Sequence, residues 1–180
     1  MKNRRRKRTG RLQAVVDVRV ALVGELILRD VVSDDLPIFF EQQLDPTAIQ
    51  MAAFTAKDPA DAAAFKAHWA RILGDQSVIT KTIVLAGKVA GHIAIFGPPE
   101  ERDVTYWIGR EYWGRGLASD ALRKLLVGVK ERPLYARAAN DNAASIQVLK
   151  KCGFEISGHE ISFANARRAE IDEVLLMLKE

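Results

Sequence analysis

The segment Tyr112-Trp113-Gly114-Arg115-Gly116-Leu117-Ala118 joins a strand-like run ending near Gly109 to a helix-like run that starts near Gly116. A helix start leaves its first backbone N–H groups without intrahelical partners, and with the positive end of the helix dipole they form a site for phosphate. Gly114 and Gly116 can take backbone angles closed to other residues, and with small Ala118 they let a diphosphate approach the amides. Arg115 adds positive charge at the mouth. A Gly-x-Gly turn alone is ordinary turn chemistry, so it points to a phosphate ligand and no further.

Three more runs stand with it: Tyr106-Trp107-Ile108-Gly109 before the turn, then Asn142-x-x-Ser145, then Val148-Leu149-Lys150-Lys151-x-Gly153-Phe154. Together with the turn through Ser119 they resemble the GNAT superfamily of acyl-CoA-dependent acetyltransferases. The branch they resemble is typified by the ribosomal-protein N-terminal acetyltransferases RimJ and RimL. The motifs span residues 104–154, and the order of elements fits from about residue 25 to the end. The resemblance implies acetyl-CoA as the acetyl donor, lying where the fourth and fifth strands splay apart. Its pyrophosphate would rest on the amides of Gly114, Arg115, Gly116, Leu117 and Ala118, and its pantetheine would pair with the backbone of Trp107, Ile108 and Gly109. The superfamily pattern places Gln or Arg where this chain has Trp113, a departure the RimJ/RimL-like branch tolerates. Asn142 serves as a helix N-cap and, by the resemblance, as a hydrogen-bond partner of the CoA arm. Lys150 and Lys151 either meet CoA phosphates or complement the end of their own helix.

The reaction implied is direct attack of a neutral primary amine on the thioester carbonyl, with departure of the CoA thiol. An α-amine of pKa ~8 is readily neutral near pH 7, whereas a lysine of ~10.4 needs help. Many members use a tyrosine seven residues after the motif asparagine as the acid, and Leu149 stands there. The RimL-like resemblance implies Ser145 instead; its other reading is a hydroxyl bonded back to its own helix. For the base the same resemblance implies Glu160, acting through water, with His92 and Tyr106 as alternatives and His159 as a residue able to line the acceptor cleft. A backbone amide near Ile108 would hold the oxyanion. Cys152 falls on an inward helix face and reads as a small core residue rather than an acetyl-carrying nucleophile.

These residues need a framework, and the chain's periodicity supplies one. Glu25–Val31 alternates as a strand, and Ser33 caps a helix whose first turn carries Asp34 and Asp35 and whose apolar set is Leu36, Phe39, Phe40 and Leu44. Residues 45–57 lack a firm period and read as a loop or short helical turns. Asp58 caps a second helix, with Pro59 at its first position and Phe65, Trp69, Ile72 and Leu73 on one face. Val78–Leu85 and Val89–Phe96 flank a Gly87-Lys88 hairpin, Val104–Gly109 follows, and Leu117, Ala121, Leu122, Leu125, Leu126 and Val129 form a helical stripe. Leu134–Ala138, a helix over 143–152, and strands Glu155–Phe163 and Asp172–Leu178 close the chain. The fold class expected is α/β in the mixed sense: one GNAT-type mixed sheet of about seven strands, splayed between the fourth and fifth, with helices on both faces.

The chain has 180 residues, 48% hydrophobic and 28% charged, which suits one domain with one core. Its net charge of +4 belongs to a tail, because seven of the 27 Lys and Arg lie between Lys2 and Arg11 and the rest are outnumbered by 23 acidic residues. The division expected is a basic tail over 1–22 and a single domain over 23–180. Charged residues interrupt the apolar stretch after the tail, so secretion and a membrane span are not expected, and the setting expected is the cytoplasm. With Cys152 the only cysteine, no disulfide or multi-cysteine metal site can form, and no metal is expected. The partners expected are acetyl-CoA and an amine acceptor, either a protein N-terminus or a small molecule; nucleic acid enters only through a contact of the basic tail. Monomer and homodimer both stay open. Two other readings share the sequence: a catalytically silent acyl-CoA-binding regulator, and a ribosome- or RNA-associated protein acting through the tail.

Overall fold

Alternating β-branched runs form strands because each buries one row of side chains and turns the next outward. Seven such strands make one sheet in the computed structural model, which describes residues 24–180. The expected tail over 1–22 lies outside the described residues. The strands are β1 (Leu26–Asp30), β2 (Ile79–Leu85), β3 (Lys88–Phe96), β4 (Arg102–Ile108), β5 (Leu134–Ala139), β6 (Glu155–Ala164) and β7 (Ala169–Leu178). The sheet order is β1-β2-β3-β4-β5-β7-β6, antiparallel throughout except for β4 and β5, which run parallel. Only Arg102↔Leu134 and Asp103↔Tyr135 pair across β4 and β5, after which the two strands part. The expected splay between the fourth and fifth strands is therefore present, in a mixed α/β sheet with helices on both faces.

The two faces carry different cores. On one, α4 (Leu117–Gly128) and α5 (Ala143–Lys151) cover Ile93, Ile95, Val104, Ala136 and Leu176 with Leu122, Leu125 and Leu149. On the other, α1 (Leu36–Gln43) and α3 (Ala62–Gly74) bring Phe39, Phe65 and Trp69 together, while α2 (Pro46–Ala52) packs near the end of β5.

Several local expectations need correction. The second helix starts at Ala62, not Pro59, because Asp61 accepts from the N–H groups of Ala63 and Ala64, while Asp58 bonds to Ala60 N and closes a turn before it. Residues 46–52 form a helix despite their weak period; Asp45 caps it through Ala48 N, and Pro46 sits in its first turn. Ser33 caps nothing: Ser33–Asp35 is a 3-10 turn whose cap position is Val32. Asp35, expected in the first turn of a helix, lies in that 3-10 turn and is buried; Arg29 donates to both its oxygens at 2.6 Å, and Thr82 Oγ1 and Val32 N also donate to it. The hairpin turn is Ala86-Gly87, one residue earlier than expected, with positive φ at both positions. Val129 is buried but ends α4 as extended backbone.

Candidate functional site

The gap between β4 and β5 is lined by Val104, Thr105, Tyr106, Ala136, Arg137, Ser145 and Leu149, around a cavity of about 60 Å³. Register decides which side chains meet there. Gly109 N donates to Ala90 O of β3 at 2.8 Å, so the peptide groups of Ile108, one residue back, face away from β3 and into the gap. The Ile108 carbonyl accepts from the indole N–H of Trp113 at 2.8 Å. Trp113 thus ties the glycine turn to the end of β4.

Beyond Trp113, Gly114 and Gly116 have φ of 73° and 77°. An added Cβ would meet nothing within 4 Å at either glycine, so backbone conformation rather than crowding selects glycine there. Gly116 is the N-cap of α4, no side chain caps that end, and the first helical bond recorded is Asp120 N to Gly116 O at 3.1 Å. The N–H groups of Leu117, Ala118 and Ser119 are thus the orphan donors of the first turn. Arg115 is exposed, with its guanidinium 5.8 Å from the centre of the Tyr112 ring.

On the other wall, Asn142 caps α5 as expected, accepting from Ser145 N at 3.1 Å. Its Nδ2 also donates to Met51 O, fastening α5 to α2, a contact 91 residues distant that no local pattern announces. Ser145 Oγ lies 2.7 Å from Tyr106 Oη. Burial pushes the Tyr106 phenol up to about 12, outweighing the Ser145 hydrogen bond, so it keeps its proton at neutral pH and cannot serve as a base. His92 is also unsuited. It lies against Phe39 and Trp69, with centroids 4.8 and 5.0 Å away, and burial takes its pKa down to about 4.

Glu160 is half-exposed and accepts from Arg137 Nη1 at 3.2 Å. Arg137 itself lines the gap and also approaches Glu101 and Asp103, at 3.7 and 3.9 Å. Glu160 therefore reaches the gap through Arg137, a residue that no motif in the sequence singles out. His159 does not accompany Glu160: successive residues of β6 point to opposite faces, and His159 pairs with Asp172 at 3.2 Å. Burial raises the Cys152 thiol, which donates to Ser119 O at 3.5 Å and packs, partly buried, against the core. Among the described residues, no group of three or more His, Cys, Asp and Glu is arranged to hold a metal ion, and no helix is long and apolar enough to cross a membrane.

The family described as "Acetyltransferase (GNAT) domain" matches residues 25–155, most of the chain. The chain belongs to the GNAT acetyltransferase family.

Solved structures with this fold include the spermidine N-acetyltransferase from Vibrio cholerae in complex with CoA and spermine. It is 16% identical, with a TM-score of 0.71, over 85% of this chain and 95% of that one. The Microcin C7 self immunity acetyltransferase MccE, in complex with acetyl-CoA and AMP, is 16% identical with a TM-score of 0.72, over 87% and 93%. AAC(6')-Ib, in complex with Ribostamycin and Coenzyme A, is 16% identical with a TM-score of 0.68, over 87% and 94%. No curated protein matches this chain.

In this GNAT acetyltransferase the sequence missed one more residue beside the motif strand. Trp107 Nε1 donates to Gln42 O at 3.2 Å, and the buried side-chain amide of Gln42 lies against Gly109 with no hydrogen-bond partner. Only the tertiary approach of α1 to β4 reveals it.

Proposed function

We propose that this chain transfers the acetyl group of acetyl-CoA to a primary amine, as a RimJ/RimL-like member of its family. The observation that carries this is the gap between β4 and β5, with the uncapped start of α4 tied to one end by Trp113 and Ser145 on its wall. In this reading the pyrophosphate takes the amides from Gly114 to Ala118, and the pantetheine lies along the free edge of β4 at Trp107, Ile108 and Gly109. Asn142 meets the CoA arm with hydrogen-bonding capacity left over from its cap.

The acceptor enters from the face that carries Glu160 and Arg137. Its neutral nitrogen attacks the thioester carbon, the Ile108 N–H steadies the carbonyl oxygen, and Ser145 donates to the departing sulfur. Glu160, through water, receives the proton that nitrogen releases. The acceptor is a protein N-terminal α-amine or a small-molecule amine, and residues 1–22 form a basic tail ahead of the catalytic domain.

The test is thiol release from acetyl-CoA across N-terminal peptides, polyamines, amino acids and aminoglycosides. Turnover with at least one class, lost in Glu160→Gln and Ser145→Ala with acetyl-CoA affinity kept, is the result expected. Acetyl-CoA binding by the wild type without turnover on any amine would instead favour a silent regulator.

A further inference from the structure

The hydroxyl pair in the gap shares one hydrogen bond, which either oxygen could donate. Tyr106 Oη lies 2.7 Å from Ser145 Oγ and 3.3 Å from the Ser145 carbonyl, so both nearby oxygens belong to one residue. A hydroxyl has one proton to give and two lone pairs to receive with. A carbonyl can only accept, so the position of the phenol between these two oxygens suits a donor. The phenol holds its proton at neutral pH, burial having raised its pKa to about 12. With that proton placed on the shorter of the two contacts, 2.7 Å against 3.3 Å, the Ser145 hydroxyl receives from Tyr106 and sends its own proton elsewhere. Its backbone N–H is already committed to Asn142, which fixes the first turn of α5 and the place of the side chain. The direction left open is the cavity that both residues line between β4 and β5.

We propose that Tyr106 is a positioning residue acting through Ser145: its phenol donates to Ser145 Oγ and so turns the serine proton toward the sulfur of the leaving CoA. This rests on the acetyl-transfer reading above. The step balances without passing a proton along the pair. The acceptor nitrogen forms the C–N bond, the C–S bond breaks, and its electron pair goes to sulfur. The proton lost by nitrogen passes through water to Glu160. A buried phenol keeps its proton against a thiolate, whose conjugate thiol has a pKa of about 8.5, so CoA departs as thiolate stabilised by the oriented hydroxyl. The arrangement also answers Leu149, which occupies the position many members give to a tyrosine acid: here a tyrosine reaches the gap from β4 instead of from α5.

A double-mutant cycle tests this, with the best amine found above as acceptor. Ser145→Ala should lower kcat by about 100-fold and Tyr106→Phe by about tenfold, each with the Kd for acetyl-CoA within about twofold of wild type. The double variant should be no slower than Ser145→Ala alone, because the phenol has nothing left to orient. Wild-type kcat in either single variant, or a double variant slowed by the product of the two losses, would overturn the inference while wild-type turnover left the acetyltransferase reading standing. Absence of wild-type turnover would defeat that underlying reading first, and this inference with it. If Tyr106→Phe fails to fold, 3,5-difluorotyrosine at position 106 keeps the ring and hydroxyl while lowering the phenol pKa. The kcat should then fall as pH rises and the phenol stops donating, in the Ser145 protein and not in Ser145→Ala. A profile without that limb, or one shared by both proteins, overturns the proposal.

Discussion

The indole N–H of Trp113 donates to the Ile108 carbonyl at 2.8 Å, so the glycine turn and the end of the motif strand are held as one unit. Trp113→Phe keeps an aromatic ring and removes that donor. A neutral hydrogen bond of about 1 kcal/mol is lost, and the expected outcome is an acetyl-CoA Kd raised about fivefold with kcat changed less. Calorimetric titration checks it; an unchanged Kd would show that the indole does not organise this edge.

At Gly116 the φ of 77° and the open space around an added Cβ separate conformation from crowding. Gly116→Ala should cost about 1 kcal/mol from the left-handed backbone alone, lowering Tm by roughly 3 °C. Asn tolerates that conformation better, so Gly116→Asn should lose less. Equal losses in thermal melts of the two variants would contradict a purely conformational requirement.

His92, held at about 4 by burial against an ordinary 6.5, gives a signed pH effect. Between these values the unfolded chain binds a proton that the folded one refuses, so stability falls as pH drops from about 6.5 to 4, by roughly 3 kcal/mol. Above pH 6.5 both states are neutral and nothing changes. His92→Phe should flatten this limb, as read from urea midpoints at pH 7 and 4.5, and it should retain acetyl transfer. Loss of turnover in a folded His92→Phe protein would restore His92 as a candidate base.

Asp35 works in the opposite sense. Burial pushes its carboxyl up, but hydrogen bonds from Arg29, Thr82 and the Val32 amide prevail and bring it down to about 2. Its contribution is complete above about pH 4 and is lost as pH falls toward 2. Asp35→Asn should cost about 3 kcal/mol at pH 7, since it leaves Arg29 and Thr82 without their charged partner, and the cost should shrink near pH 2. Denaturant titrations at the two pH values measure it, and a pH-independent loss would reassign the effect to packing.

The sequence by itself determined what depends on near neighbours. The glycines at 114 and 116, the Asn142 cap with Ser145 three residues on, and the strand periods all act within a turn or a pleat, so their chemistry is legible in order along the chain. Even there a nearer competitor could win: Asp61 took the helix start from Asp58 because it reaches two amides of the first turn. Tertiary structure alone decided which oxygen Tyr106 meets 39 residues away, that Arg137 stands between Glu160 and the gap, and that His159 faces away from Glu160. It also made Asp35, placed by the sequence in the first turn of a helix, a buried partner of Arg29 and Thr82. The reason is physical. Propensity and capping are set by neighbours a few residues apart, whereas the partner of a buried polar group is set by strand register and helix docking, which the local pattern does not specify.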